Sequence, residues 1–307
     1  MNARILHLPE DEAAVFSPSV VAIGNFDGVH IGHRAILAEA RRTADTLGCS
    51  LTVWTFSRLA KADCGTGAIL SLADKTAALG ECGADTVIVA DFGAYRDKAA
   101  ADFVRTVMLG RLGCRAVVCG ANFRFGKGAE GDTAMLAHLL SENGVPLTVV
   151  PLAEKDGEVI SSTLIRSMLA NGDVSGAAAL MGRHFVIEGE IIHGKALGRT
   201  LGVPTANVMI PEWQTAVGDG VYKTKAIVGG RCYDALTNVK CALTETHLIG
   251  CTGDLYGKTL RVCFVSRIRG ERKFGSTDEL GRAIRADIAA VTGNNTSAEV
   301  YYNNEEN

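Results

Sequence analysis

The chain has 307 residues, 47% of them hydrophobic and 21% charged, with a net charge of −3 at pH 7; that is long for one core and suits two domains of ordinary size. No run approaches the roughly 20 apolar residues that span a bilayer, Met1 to His7 carry neither a long apolar core nor a small-residue cleavage site, and the acidic balance offers nucleic acid no basic field. A cytoplasmic protein without membrane or nucleic-acid partners is expected, its oligomeric state left open. The nine cysteines stand singly, several in strand-like apolar runs, and read as reduced core thiols rather than a disulfide framework or zinc cluster.

The first predicted strand, residues 20–23, is short, apolar and β-branched, and residues 34–47 show helical spacing through Ile36, Leu37, Ala40 and Leu47. Between them runs Gly24-Asn25-Phe26-Asp27-Gly28-Val29-His30-Ile31-Gly32-His33. A glycine-rich turn at a strand's carboxyl end and a helix N-terminus is where open α/β sheets bind anions. His30 and His33 are candidate donors to a reacting phosphate, and Gly28 and Gly32 are expected to let backbone approach it. A zinc pair is disfavoured, because no Cys or acidic partner stands nearby at ligand spacing.

Further along, strand and helix patterns alternate over residues 51–56, 72–82, 86–90, 101–112, 116–119, 133–140 and 147–150, which argues for a parallel sheet covered on both faces. After the strand at 116–119, Gly120-Ala121-Asn122-Phe123-Arg124-Phe125-Gly126 combines a cation with two rings able to flank a purine or flavin. Ile160-Ser161-Ser162-Thr163-Leu164-Ile165-Arg166 sets hydroxyls at a helix start, to cap it or to donate to phosphate. Helices follow at 164–170 and 174–181. The pattern then changes to long alternating runs at 185–192, 220–228, 231–239, 246–249 and 259–265, read as antiparallel strands, with one closing helix at 277–290. Domains of 1–183 and 184–292 are expected, with 293–307 a polar tail.

His30-x-Gly32-His33 resembles the nucleotidyltransferase signature, and the full Gly24 to His33 stretch resembles bacterial FAD synthetases, as do the Phe123-Arg124-Phe125-Gly126 loop and Ile160 to Arg166. His193-Gly194, Gly198-Arg199-x-Leu201-Gly202-x-Pro204-Thr205-Ala206-Asn207, Glu245-Thr246-His247-Leu248 and Ile268-Arg269-x-Glu271 resemble flavokinases. Together they are similar to the bifunctional bacterial riboflavin kinase/FAD synthetase family. The resemblance implies an N-terminal Rossmann-like nucleotidyltransferase domain that joins FMN to AMP from ATP, giving FAD and pyrophosphate. It also implies a C-terminal flavokinase-like antiparallel barrel, with one long helix, that converts riboflavin and ATP to FMN.

On that basis His30, His33 and Glu245 are the catalytic candidates, Glu245 as the base for the riboflavin 5′-hydroxyl. ATP and its phosphates would lie on Gly24, Asn25, Phe26, Asp27, Gly28, Gly32, Ser161, Ser162, Thr163 and Arg166 in one domain, and on Gly194, Gly198, Arg199 and Gly202 in the other. Flavin would meet Asn122, Phe123, Arg124, Phe125 and Arg269, and Mg²⁺ would meet the oxygen donors Thr205 and Asn207.

Three segments depart from the family. Thr55-Phe56-Ser57-Arg58-Leu59 lacks the usual Pro-His-Pro turn, Asn122 replaces an Asp, and Leu236 to Lys240 run almost straight into Cys241 to His247, shortening a loop on the flavin side. The residues alone leave open a protein with one of the two activities, an adenylyltransferase for another phosphorylated acceptor, or a non-catalytic flavin or nucleotide sensor.

Overall fold

A computed structural model describes residues 3–9, 11, 16–57, 67–194 and 202–292, in two compact units, Met1–Leu164 and Ile165–Asn307. The first contains β1 (Arg4–Leu8), β2 (Ser19–Ile23), α1 (Ile31–Leu47), β3 (Ser50–Phe56), α2 (Leu72–Glu81), β4 (Thr86–Ala90) and α3 (Phe92–Tyr95). There follow α4 (Ala100–Asp102), continued with π-type hydrogen bonding over Phe103–Arg111, β5 (Ala116–Gly120), α5 (Thr133–Ser141), β6 (Leu147–Val150) and a small hairpin, β7 (Glu154–Lys155) and β8 (Glu158–Val159).

Six of these strands form an all-parallel sheet in the order β1-β4-β3-β2-β5-β6. β2 is central and all five of its residues are buried, which explains its unbroken apolar run. The chain winds outward through β3 on one side of β2, while β5 lies on the other, so the loops after β2 and β5 flank a topological switch point. Val21, Ile23, Trp54, Ile88, Val117 and Cys119 form the core beneath it.

α6 (Ser162–Ala170) crosses from the first unit to the second, which continues with α7 (Val174–Met181) and strands β9 (Phe185–Glu190), β10 (Ala206–Met209), β11 (Gly220–Val228), β12 (Arg231–Lys240), β13 (Leu243–Leu248) and β14 (Thr259–Arg269). The last described element is α8 (Thr277–Thr292). The strands run antiparallel in the order β10-β13-β12-β11-β14-β9, and a bridge between Ile192 and Asn207 brings the two ends together into a nearly closed barrel. Tyr222, Phe185 and Phe264 fill its interior. There the hydroxyls of Thr224, Thr237 and Thr246 form a hydrogen-bonded chain across three strands, at 2.8 and 3.0 Å. On the opposite sheet face Val221 and Leu236 pack under Val291 of α8.

The unit division at Leu164/Ile165 lies upstream of the expected 183/184 boundary. α7 explains the difference: Val174, Ala177, Leu180 and Met181 are buried, and the helix packs on β14 and β9. α3 and the β7–β8 hairpin were not anticipated, nor were three features of the sheets. β1 is a parallel edge strand beside β4, β10 follows directly on Thr205, and β13 begins at Leu243, three residues before the expected 246. Gly198, Arg199, Cys64, the Arg58-Leu59 segment and the 293–307 tail lie outside the described residues.

Candidate active sites

The β2–α1 loop is built under strain. Phe26 and Val29 hold φ of 52° and 40° beside Gly28 at 84°, a left-handed region in which a β-branched residue is an outlier. Buried anchors hold it there. Phe26 and Val29 are fully buried. The Asp27 carboxylate accepts from the Ile69 amide at 3.0 and 3.2 Å and from that of Leu70 at 3.5 Å. Thr55 Oγ1 donates to the Asn25 carbonyl at 2.7 Å, and Ser162 Oγ donates to the Asp27 carbonyl at 2.9 Å.

His30 ends this loop as the N-cap of α1, its Nδ1 accepting from the His33 amide at 3.4 Å. That leaves Nε2–H as the ring's donor. The two imidazoles stack with centroids 3.6 Å apart. Burial lowers the His30 pKa to about 4, and burial, His30 and Lys75 together hold His33 well below the ordinary histidine value. Of the two ways imidazoles could serve a phosphate, as fixed cations or as hydrogen-bond donors, the second describes both rings at neutral pH.

The two glycines of the loop also have neighbours within the protein. A Cβ on Gly28 would lie 3.1 Å from Ile69, and one on Gly32 would lie 3.3 Å from the His30 ring. Both glycines make room for the protein's own side chains.

A cavity of about 840 Å³ opens at the sheet's carboxyl edge, lined by Gly24, Asn25, Phe26 and His33 from one side of the switch point and by Asn122, Phe123, Arg124 and Phe125 from the other. Phe56, Phe92 and Tyr95 complete its apolar wall. Phe123 and Phe125 lie parallel at 5.7 Å and both line the cavity. Phe125 is buried against Phe103 and Gly131, whereas Phe123 is half-exposed. Arg124 stands 3.7 Å from Asp132 on the rim. Ser161 caps α6 through the Leu164 amide at 3.2 Å, Thr163 is exposed, and Arg166 lies one turn along that helix, within the second unit.

In the barrel, strand register assembles a row of polar side chains. Asn207 of β10 pairs with Glu245 of β13, which pairs with Asn238 of β12. Alternation puts all three on the face opposite the threonine chain. Asn238 Nδ2 donates to Glu245 Oε2 at 3.4 Å. Asn207 is only 5% exposed, and its Oδ1 is buried with no hydrogen-bond partner among the described residues. Gly194 lies over it, where a Cβ would collide with the Asn207 amide nitrogen. Thr205 is half-buried two residues earlier, and His247 Nδ1 bonds the Pro204 carbonyl at 2.8 Å, fixing the approach to β10. Gly202, with φ of 74°, is exposed.

Arg269, expected on the flavin side, has a partner within the unit. Its guanidinium grips Asp287 of α8 at 2.8, 3.1 and 3.3 Å, tying the helix to the barrel. The shortened loop is a two-residue hairpin turn, Cys241 and Ala242, with φ of 49° and 60°. No cluster of three or more His, Cys, Asp or Glu suited to a metal occurs among the described residues.

Two site residues escaped the sequence reading. Lys75 is 5% exposed and reaches three groups at the ends of β2 and β3; its signal was a lysine on the apolar stripe of α2, in phase with Leu72 and Leu79. Asn238 was findable by counting back from Glu245 across a two-residue turn.

A family model of FAD synthetase matches residues 12–164 and one of riboflavin kinase matches residues 181–294. A curated bifunctional riboflavin kinase/FMN adenylyltransferase of Pseudomonas fluorescens is 36% identical, over 89% of this chain and 91% of that relative. One of the same name from Bacillus subtilis is 32% identical, over 92% and 93%. A crystal structure named a macrolide-efflux protein, from Streptococcus pneumoniae, covers 95% of this chain and 99% of its own with a TM-score of 0.84 at 27% identity. With both domain types matched in order along one chain, this protein belongs to the bifunctional riboflavin kinase/FMN adenylyltransferase family.

Proposed function

We propose that the barrel phosphorylates riboflavin to FMN with ATP, and that the α/β unit joins FMN to the AMP portion of a second ATP, giving FAD and pyrophosphate. The observation that carries this reading is that each unit has its own set of convergent polar groups, the stacked His30–His33 pair in one and the Asn207–Glu245–Asn238 row in the other.

In the barrel the riboflavin 5′-hydroxyl oxygen attacks the γ-phosphorus, its proton passes to the Glu245 carboxylate, and ADP leaves. Asn238 orients that carboxylate. The unpartnered Asn207 Oδ1 and the Thr205 hydroxyl suit a hard cation. Mg²⁺ held there would neutralise charge on the polyphosphate. Gly194, Gly198, Arg199 and Gly202 would wrap the nucleotide.

In the α/β unit a phosphate oxygen of FMN attacks the α-phosphorus of ATP and pyrophosphate leaves. His30 and His33 donate hydrogen bonds to the phosphate at the N-terminus of α1, where the helix dipole favours added negative charge. Ser161, Ser162, Thr163 and Arg166 extend this donor set, while Phe123, Asn122 and Arg124 meet the flavin. No helix of the described residues is long and apolar enough to cross a membrane, in keeping with a cytoplasmic enzyme whose partners are riboflavin, FMN and ATP.

Incubating the protein with riboflavin, ATP and Mg²⁺ and separating the flavins over time tests the whole reading. FMN followed by FAD is expected. FMN alone would confine activity to the barrel, and no product would leave a changed acceptor or a sensor.

A further inference from the structure

The strained β2–α1 loop has a support that the reaction chemistry does not call for. Lys75 reaches out of α2 beneath it, 5% exposed, and donates to the Phe56 carbonyl at 2.7 Å, Thr55 Oγ1 at 3.3 Å and the Asn25 carbonyl at 3.5 Å. Thr55 Oγ1 donates to that same Asn25 carbonyl. The ammonium therefore joins the carboxyl ends of β2 and β3 at the residue where the loop leaves the sheet. Asn25, Phe26 and Phe56 all line the cavity.

A lysine is buried so far only at a desolvation cost, and an apolar residue in the same helical stripe would avoid it. Its charge is also felt at the site. The ionisable groups that face it, among the described residues, are Asp27 from the loop and His33 from α1.

We propose that Lys75 is a positioning residue for adenylyl transfer: its ammonium pins the Asn25 and Phe56 carbonyls, sets the backbone path that presents His30 and His33, and keeps a positive charge beneath the phosphate loop. This rests on the adenylylation reading given above. Burial lowers the Lys75 pKa to about 8, with Asp27 opposing the shift. The clamp is thus present at neutral pH and is released as pH rises through about 8.

The test uses the full chain with Mg²⁺ and ATP, following FMN to FAD and riboflavin to FMN separately, with Lys75→Met and Lys75→Arg. Lys75→Met is expected to lower kcat for FAD formation roughly ten- to hundredfold and to leave riboflavin phosphorylation unchanged. Wild-type FAD formation should fall on the alkaline side with a midpoint near pH 8. In Lys75→Arg, whose cation does not titrate in that range, the activity that remains should show no alkaline fall near pH 8. An alkaline midpoint that stays near 8 in Lys75→Arg, or a Lys75→Met chain with wild-type kcat, would overturn the assignment even if Lys75→Met also weakens the fold. A wild-type chain that makes FMN but no FAD would instead remove the adenylylation reading itself, and the proposal with it.

Discussion

The two candidate sites are built in opposite ways. In the α/β unit the chemistry sits on a loop whose backbone is strained at Phe26 and Val29 and is held by contacts from distant segments: Ile69, Lys75, Thr55 and Ser162. In the barrel it sits on strands, where Asn207, Glu245 and Asn238 are neighbours because their strands pair in one register. A loop site depends on tertiary anchors and should respond to changes remote in sequence. A strand site depends on register and should respond mainly to its own row.

The separation is most sharply tested by removing one chemistry while reading the other. Glu245→Gln keeps shape and the Asn238 contact but removes the base, so riboflavin phosphorylation should fall about 10²- to 10⁴-fold while FAD formation from supplied FMN stays intact. A parallel loss of both would break the comparison. Conversely, His33→Ala should lower FAD formation about 10²- to 10³-fold through the lost donor, with FMN production unchanged in the same assay.

Acid should act on the loop site before the barrel. The His30 pKa falls from 6.5 unfolded to about 4 folded, so the unfolded chain binds more protons between those values. The stability this histidine confers is therefore present above pH 6.5 and is lost as pH falls toward 4, amounting to about 3 kcal/mol in full. Each unit has one tryptophan, buried Trp54 and exposed Trp213. Urea unfolding of a Trp213→Phe chain at pH 7 and pH 5 would report the α/β unit alone, and His30→Gln should flatten the difference.

The smallest effect concerns the turn that shortens the barrel loop. Cys241 and Ala242 both occupy the left-handed region, which two-residue hairpins usually fill with Asn-Gly. The double change Cys241→Asn and Ala242→Gly should stabilise the barrel by about 0.5–1 kcal/mol and leave kinase activity alone. Unchanged unfolding midpoints would show that the strain is relieved elsewhere.

Much of this was legible in the chain itself. The apolar run at 20–23, glycine punctuation and a histidine pair before a helical pattern located the switch-point loop, because each signal is local. What stayed hidden depends on partners far along the chain. β1 reads as Arg-Ile-Leu-His-Leu and becomes a strand only beside β4. The Arg269 guanidinium is held by Asp287 on a separate helix, a pairing that the sequence did not announce. Phe125 lines the cavity, but that it also packs on Phe103 and pairs with Gly131 is something nothing nearby in sequence announces.

The buried threonine chain inside the barrel has a consequence for the row on its reverse side. If β13 slid by one residue against β12, Glu245 would turn inward and Thr246 outward, since neighbouring side chains point to opposite faces. Thr237 would then lose its hydrogen bond to Thr246, and the Glu245 carboxylate would be turned into an interior filled by Tyr222, Phe185 and Phe264, where burying a charge without a partner is costly. The buried interior thus acts as a ratchet, penalising every alignment of the sheet in which the base would face the wrong way.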